Sequence, residues 1–167
     1  MTPIICIVGR SQTGKTTFIE KLIPVLKGRG YRIGTIKHSH HVFEMDKTGK
    51  DSWRHKDAGA ETAMIASPGK IAMVKNDHDG SLDSLVKFFS DLDLVITEGY
   101  KGEKKPKIEV VRAARHQQAL LVDDANLVAV VTDVAMSINV PVFGMEDVEQ
   151  LADFIEQNYL SGMTIDE

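Results

Sequence analysis

The chain has 167 residues, 43% hydrophobic and 26% charged, which suits one globular domain with a real core. Its formal net charge of -4 provides no overall positive field and argues against nucleic-acid binding. The single cysteine excludes an internal disulfide, and the lack of a basic-then-apolar leader pattern or a run of membrane-spanning length points to a cytoplasmic, non-membrane protein.

Residues 3–8 (Pro-Ile-Ile-Cys-Ile-Val) predict a short buried strand, with Cys6 as a small hydrophobe inside it. Gly9-Arg10-Ser11-Gln12-Thr13-Gly14-Lys15-Thr16 then spells the phosphate-binding pattern G-x-x-x-x-G-K-[ST]. A helical pattern follows, with Phe18, Ile19, Leu22, Ile23 and Leu26 on one stripe. Pro24 is expected to kink it or loosen its last turns, and Gly28 and Gly30 to stop it. Residues 31–37 predict a second strand, and 38–50 a polar, histidine-rich stretch. Residues 51–58 predict a short helix around Trp53. Strands at 61–66 and 70–75 flank Ser67-Pro68-Gly69, which predicts an antiparallel hairpin.

Residues 82–89 predict an amphipathic helix and 92–97 a strand, followed by a basic loop at 101–107. Further strands are expected at 108–112, 127–131 and 140–143. A last helix spans 146–159, with a loose tail from about residue 160. Strands alternating with helices imply an α/β three-layer sandwich around a mainly parallel sheet, made mixed by the hairpin. A single nucleotide-binding domain over residues 1–160 is expected, with 161–167 as a flexible tail.

Strand, glycine-rich loop and helix in succession make the phosphate motif chemically useful. Backbone N–H groups converge on phosphate oxygens, and the helix N-terminus adds partial positive charge. Lys15 is placed to neutralise the β- and γ-phosphates, and the Thr16 hydroxyl to ligate Mg²⁺. Gly9 and Gly14 allow tight turns and close approach to the ligand.

The strand at 92–97 leads into Glu98-Gly99. Parallel sheets bind ligands at the carboxyl ends of their strands, so Glu98 stands at the correct end for Mg²⁺. Asp93 stands at the other end. The segment Lys37-His38-Ser39-His40-His41-Val42-Phe43-Glu44-Met45-Asp46 leaves the same ligand end. It reads as a switch with Asp46 reaching the metal or the hydrolytic water, as a metal site of His38, His40 and His41, or as a solvated loop. Lys101, Lys104, Lys105 and Lys107 could grip a second phosphorylated ligand, dock on an acidic partner or simply face solvent. Arg112 and Arg115 follow. Thr132-Asp133 retains the aspartate of the guanine-reading pattern Asn/Thr-Lys-x-Asp but lacks the lysine, leaving GTP and ATP both open.

Gly9 to Thr17, Lys37-His38-Ser39-His40-His41, Asp46-Lys47-Thr48-Gly49-Lys50-Asp51-Ser52, Arg54-His55-Lys56-Asp57-Ala58-Gly59-Ala60, Thr97-Glu98-Gly99-Tyr100-Lys101 and Pro106-Lys107-Ile108-Glu109-Val110 occur in that order. Together they resemble the molybdopterin-guanine dinucleotide biosynthesis adapter family, the MobB-type P-loop GTP-binding proteins. The resemblance implies a homodimer that binds GTP and Mg²⁺ and assists GMP transfer onto molybdopterin, at most a weak GTPase itself. It implies a molybdenum cofactor guanylyltransferase as partner, with molybdopterin itself a further candidate ligand. By position, Gly9, Arg10, Ser11, Gln12, Thr13, Gly14, Lys15, Thr16 and Thr17 would bind phosphates, and Thr16, Asp46 and Glu98 would form the metal and water side. The competing readings are a small-molecule P-loop kinase, with Arg112 or Arg115 covering the transferred group, and a metal-insertion accessory GTPase.

Overall fold

The computed structural model describes residues 2–39, 41, 43–76, 79–115 and 118–161. His40 of the histidine segment and the tail beyond 161 lie outside the described residues. In chain order the elements are β1 (Ile4–Val8), α1 (Lys15–Gly28), β2 (Ile33–Lys37), α2 (Asp51–Asp57), β3 (Thr62–Ser67), β4 (Lys70–Lys75) and α3 (Leu82–Leu85). Then come β5 (Leu94–Glu98), β6 (Lys107–Val111), β7 (Leu127–Thr132), β8 (Val142–Phe143) and α4 (Val148–Ile155). Backbone contacts divide the chain into two compact units, Met1–His38 with Leu85–Glu167, and Ser39–Ser84.

The larger unit is built on a six-stranded sheet in the order β2-β5-β1-β6-β7-β8, parallel throughout. Every residue of β1 is buried, as a central parallel strand covered on both faces requires. Ile5 and Ile7 point to the face where α1 and α4 lay down Phe18, Leu22, Leu26, Leu151 and Ile155. Pro24 does not end α1, which runs on to Gly28. Leu26, beyond the proline, is fully buried, and its burial offsets the hydrogen bond that proline removes. Arg29 ties the far end of α1 to α4 through Glu149, Asp153 and Glu156 at 2.7–2.9 Å, and the Tyr31 hydroxyl also donates to Glu156 at 2.7 Å.

The opposite face is covered differently. Near β2, Phe89 and Leu92 press on Gly34, where a Cβ would lie 2.4 Å from Phe89. At β6 the alternation Lys107-Ile108-Glu109-Val110 sends two apolar side chains to the helices and two charges to the other side. Both charges are about 1% exposed. Lys107 pairs with Asp124 at 2.9 Å and also donates to the Glu103 carbonyl. Glu109 accepts the N–H groups of Leu120 and Leu121 at 2.8 and 3.0 Å. These buried ions anchor the segment before β7, whose Ala119 and Leu121 pack with Met136, Ile138 and Val140 of the β7–β8 connection over Val111, Leu127 and Val130. Lys107 is thus a structural cation of β6 and does not belong to the ligand-gripping basic loop suggested by the lysine run.

Three further expectations are adjusted. The hairpin around Pro68-Gly69 forms in the smaller unit as a sheet of its own, not as part of the six-stranded one. Among its twelve strand residues only Ala63 is buried, so it lacks the two apolar faces an inner strand of a covered sheet needs. The helix expected at 82–89 is α3 continued by a tighter 3₁₀ turn, Val86–Phe89. The last helix continues α4 into a wider turn, Glu156–Leu160, and Leu160 is buried in the core instead of opening a loose tail.

Candidate functional site

β1 points the chain at the ligand end of the sheet, and the turn after it is dictated by two glycines. Gly9 has φ +138°, and a Cβ there would stand 2.4 Å from the Val110 carbonyl oxygen of β6. Gly14 has φ +88° and is the N-cap of α1, with no side chain capping the helix. The leading N–H groups of α1 are thereby left to the loop and its ligand. Between the glycines, Gln12 adopts φ 62°. Thr13 is buried and donates to the Arg10 carbonyl at 3.1 Å, closing the turn from inside. Arg10, Ser11 and Gln12 form its exposed crest, and Thr17 follows on the first turn of α1.

Lys15 folds back across this turn. Its ammonium donates to the carbonyls of Arg10 at 2.7 Å and Gly9 at 3.2 Å. Partial burial pushes its pKa down, Glu98 opposes that, and nearby Lys37 adds to it. The Thr16 hydroxyl donates to the Glu98 carboxylate at 2.8 Å, and the Lys37 ammonium stands 3.5 Å from the same oxygen. Lys15, Thr16 and Glu98, singled out from the sequence, therefore share one electrostatic cluster at the ends of β1 and β5. Adjacent ligands of an octahedral Mg²⁺ are about 3 Å apart, given bonds of about 2.0–2.1 Å. The Thr16 and Glu98 oxygens fit two such positions, and both are the hard donors this ion takes.

Beyond Glu98 the backbone turns sharply. Gly99 has φ +103°, and a Cβ would meet that of His38 at 3.0 Å. Tyr100 takes φ 60°, and its ring lies 4.5 Å from that of His38. The Gly99 N–H donates to the Ile7 carbonyl at 3.0 Å, which pins this turn to β1. Asp93, at the other end of β5, accepts the Arg32 N–H at 2.6 Å.

Asp46 belongs to the smaller unit. One carboxylate oxygen accepts the Lys47 N–H at 2.8 Å, and the other is buried with no hydrogen-bond partner among the described residues. His41, in the same unit, exchanges hydrogen bonds with the Ser39 hydroxyl. Among the described residues no group of three His, Cys, Asp or Glu side chains could hold a metal ion. Asp133, just after β7, accepts the Ala113 N–H at 2.8 Å. Two residues that sequence spacing did not assign to the loop border it on that side. The nearest atoms to a Cβ placed on Gly14 are Arg112 Nε at 3.8 Å and Met145 Cε at 3.9 Å. They follow β6 and β8, so only sheet order reveals them.

Among the described residues no helix is long and apolar enough to cross a membrane. A family model described as "Molybdopterin guanine dinucleotide synthesis protein B", MobB, matches residues 4–133. The chain is 40% identical over 163 residues to the molybdopterin-guanine dinucleotide biosynthesis adapter protein of Escherichia coli (strain K12), covering 93% of this chain and 92% of that one. It is 41% identical over 157 residues to the protein of the same name from Haemophilus influenzae, covering 92% and 88%. A crystal structure of a molybdopterin-guanine biosynthesis protein B superposes with a TM-score of 0.74 at 32% identity, over 92% of this chain and 98% of the other. Bacillus subtilis MobB, at 24% identity and TM-score 0.77, shares the fold. With its phosphate loop, its Thr16–Glu98 pair and these relatives, the chain belongs to the MobB family.

Proposed function

We propose that this chain is a GTP-binding adapter that assists attachment of GMP to molybdopterin in the formation of molybdopterin guanine dinucleotide, working in the cytoplasm as a homodimer beside a molybdenum cofactor guanylyltransferase. The observation that carries it is the Lys15, Thr16 and Glu98 cluster, within a family whose curated relatives are named as adapters of that biosynthesis. The loop N–H groups and Lys15 hold the phosphates, and Thr16 and Glu98 hold Mg²⁺, which when bound neutralises charge on the terminal phosphates. Asp46 is the candidate to complete the metal and water side, and Asp133 to read guanine. This set stabilises charge and supports at most slow hydrolysis, as an accessory protein requires.

The test is displacement of a fluorescent guanine nucleotide by GTP and by ATP in the presence of Mg²⁺. A preference for GTP of tenfold or more, about 1.4 kcal/mol, supports the reading. Equal or better competition by ATP refutes the guanine assignment. Co-purification with the guanylyltransferase, lost when nucleotide is removed or when Lys15 is replaced, tests the adapter role.

A further inference from the structure

The phosphate loop has two unlike flanks. On the β5 and β2 side stand Glu98 and Lys37, with Thr16 bonded to Glu98. On the β6, β7 and β8 side stand Arg112, Asp133 and Met145, each just beyond the carboxyl end of its strand. With Mg²⁺ held by Thr16 and Glu98 as proposed, the terminal phosphate would lie on the first flank and the nucleoside end would extend over the second.

We propose that Arg112 is a base-binding residue, its planar guanidinium stacking on the purine of the nucleotide just outside the Gly14 edge of the loop, where Met145 also stands. Several observations converge. The Arg112 guanidinium and the Met145 methyl both border the Gly14 edge of the loop, 3.8–4.0 Å from where a Cβ there would stand. Among the described residues no carboxylate pairs with Arg112, although it is exposed on a chain carrying more acidic than basic groups. Its turn is held on both sides, because Asp133 accepts the Ala113 N–H at 2.8 Å and the Arg115 N–H donates to the Arg112 carbonyl at 2.9 Å. Thr132-Asp133 lacks the lysine of the Asn/Thr-Lys-x-Asp pattern, and Arg112 brings a cation to the same flank from the neighbouring strand. A guanidinium suits a ring face because it is planar and weakly hydrated, and Met145 offers a polarizable surface. Asp133 then has a second duty as the positioning residue of this turn.

This inference rests on the nucleotide-binding reading, and the experiment separates the two. Affinities for Mg–GTP and for Mg–tripolyphosphate are measured by calorimetry on the full chain and on Arg112→Ala, Arg112→Lys and Met145→Ala. Arg112 is exposed, so its variants retain the fold, which circular dichroism checks. The expected result is a loss of about tenfold in GTP affinity for Arg112→Ala, with tripolyphosphate affinity within twofold of the parent chain. Arg112→Lys recovers less than half of that loss on a logarithmic scale, because an ammonium does not stack. Equal losses for both ligands would assign Arg112 to the phosphates and overturn the proposal, as would an unchanged GTP affinity. If the parent chain binds neither ligand, the nucleotide reading fails and this inference fails with it. Normal binding with an indifferent Arg112 overturns only the latter.

Discussion

Gly9 and Gly14 sit five residues apart in one loop, both at positive φ, yet the structure separates them sharply. Alanine at either position incurs left-handed backbone strain of about 1–3 kcal/mol. Both substitutions also restrict the unfolded chain, a gain of about 0.4–1 kcal/mol that cancels in the comparison. Only at Gly9 does the new Cβ strike backbone, 2.4 Å from the Val110 carbonyl oxygen, whereas the nearest atoms at Gly14 are at ordinary contact distance, 3.8 Å. Val110 lies in β6, paired with Val131 of β7 and next to the Val8–Glu109 pair with β1, so its carbonyl cannot swing aside without moving the sheet. Overpacking of this kind costs a further 1–3 kcal/mol, roughly. Gly9→Ala should therefore be less stable than Gly14→Ala by about 2 kcal/mol, a large share of a domain stability on the order of 5–15 kcal/mol. Urea unfolding followed by far-ultraviolet circular dichroism measures the difference. The only tryptophan, Trp53, lies in the smaller unit, so its fluorescence would follow that unit instead. Equal destabilisation of the two variants would refute the claim that contact with β6, and not the dihedral alone, makes Gly9 obligatory.

Lys15→Ala should weaken Mg–GTP binding about ten- to hundredfold, since charge-assisted contacts contribute about 1.5–3 kcal/mol each; an unchanged dissociation constant in a displacement titration would remove the loop as the nucleotide site. Glu98→Gln should slow GTP hydrolysis more than it weakens binding, read as a larger change in kcat than in the dissociation constant, because the amide keeps the Thr16 contact and loses the charge facing the metal. The Asn126 N–H, then Lys107, hold the Asp124 carboxyl near a pKa of about 2. A carboxyl whose folded pKa lies below its unfolded value stabilises the fold fully above about pH 4 and loses that contribution as pH falls toward 2. Asp124→Asn should flatten the stability profile across that window, and an unchanged slope in acid titrations of the urea midpoint would count against the Lys107–Asp124 anchor.

The turn from Gly9 to Thr16 was legible in the sequence because its constraint is local. Two glycines at fixed separation between an apolar strand and an apolar-striped helix suit little besides a phosphate-binding turn, and Glu98 follows from the rule that parallel sheets work at their carboxyl ends. Lys107 was misleading because a lysine next to Lys104 and Lys105 reads as solvated. Its burial depends on Asp124, which arrives 17 residues later and whose place is set by packing. The Pro68-Gly69 hairpin was visible as a turn signal, but whether two strands join a larger sheet depends on the faces they offer to third parties. Met145 escaped, and Arg112 was marked only as a candidate lid arginine, because the two come to Gly14 from separate strands and no spacing along the chain encodes that meeting.

The attachment of Arg29 to three carboxylates of the last helix bears on how α1 can respond to a ligand. One end of that helix opens on the glycine-rich turn, and the other is clamped by three carboxylates, with Tyr31 bracing Glu156. A rod fixed at its far end delivers its dipole to the same point in space whether or not a charge is there to meet it. Binding energy is then not spent on steering the helix into place, and the affinity of the loop reflects contacts already aimed.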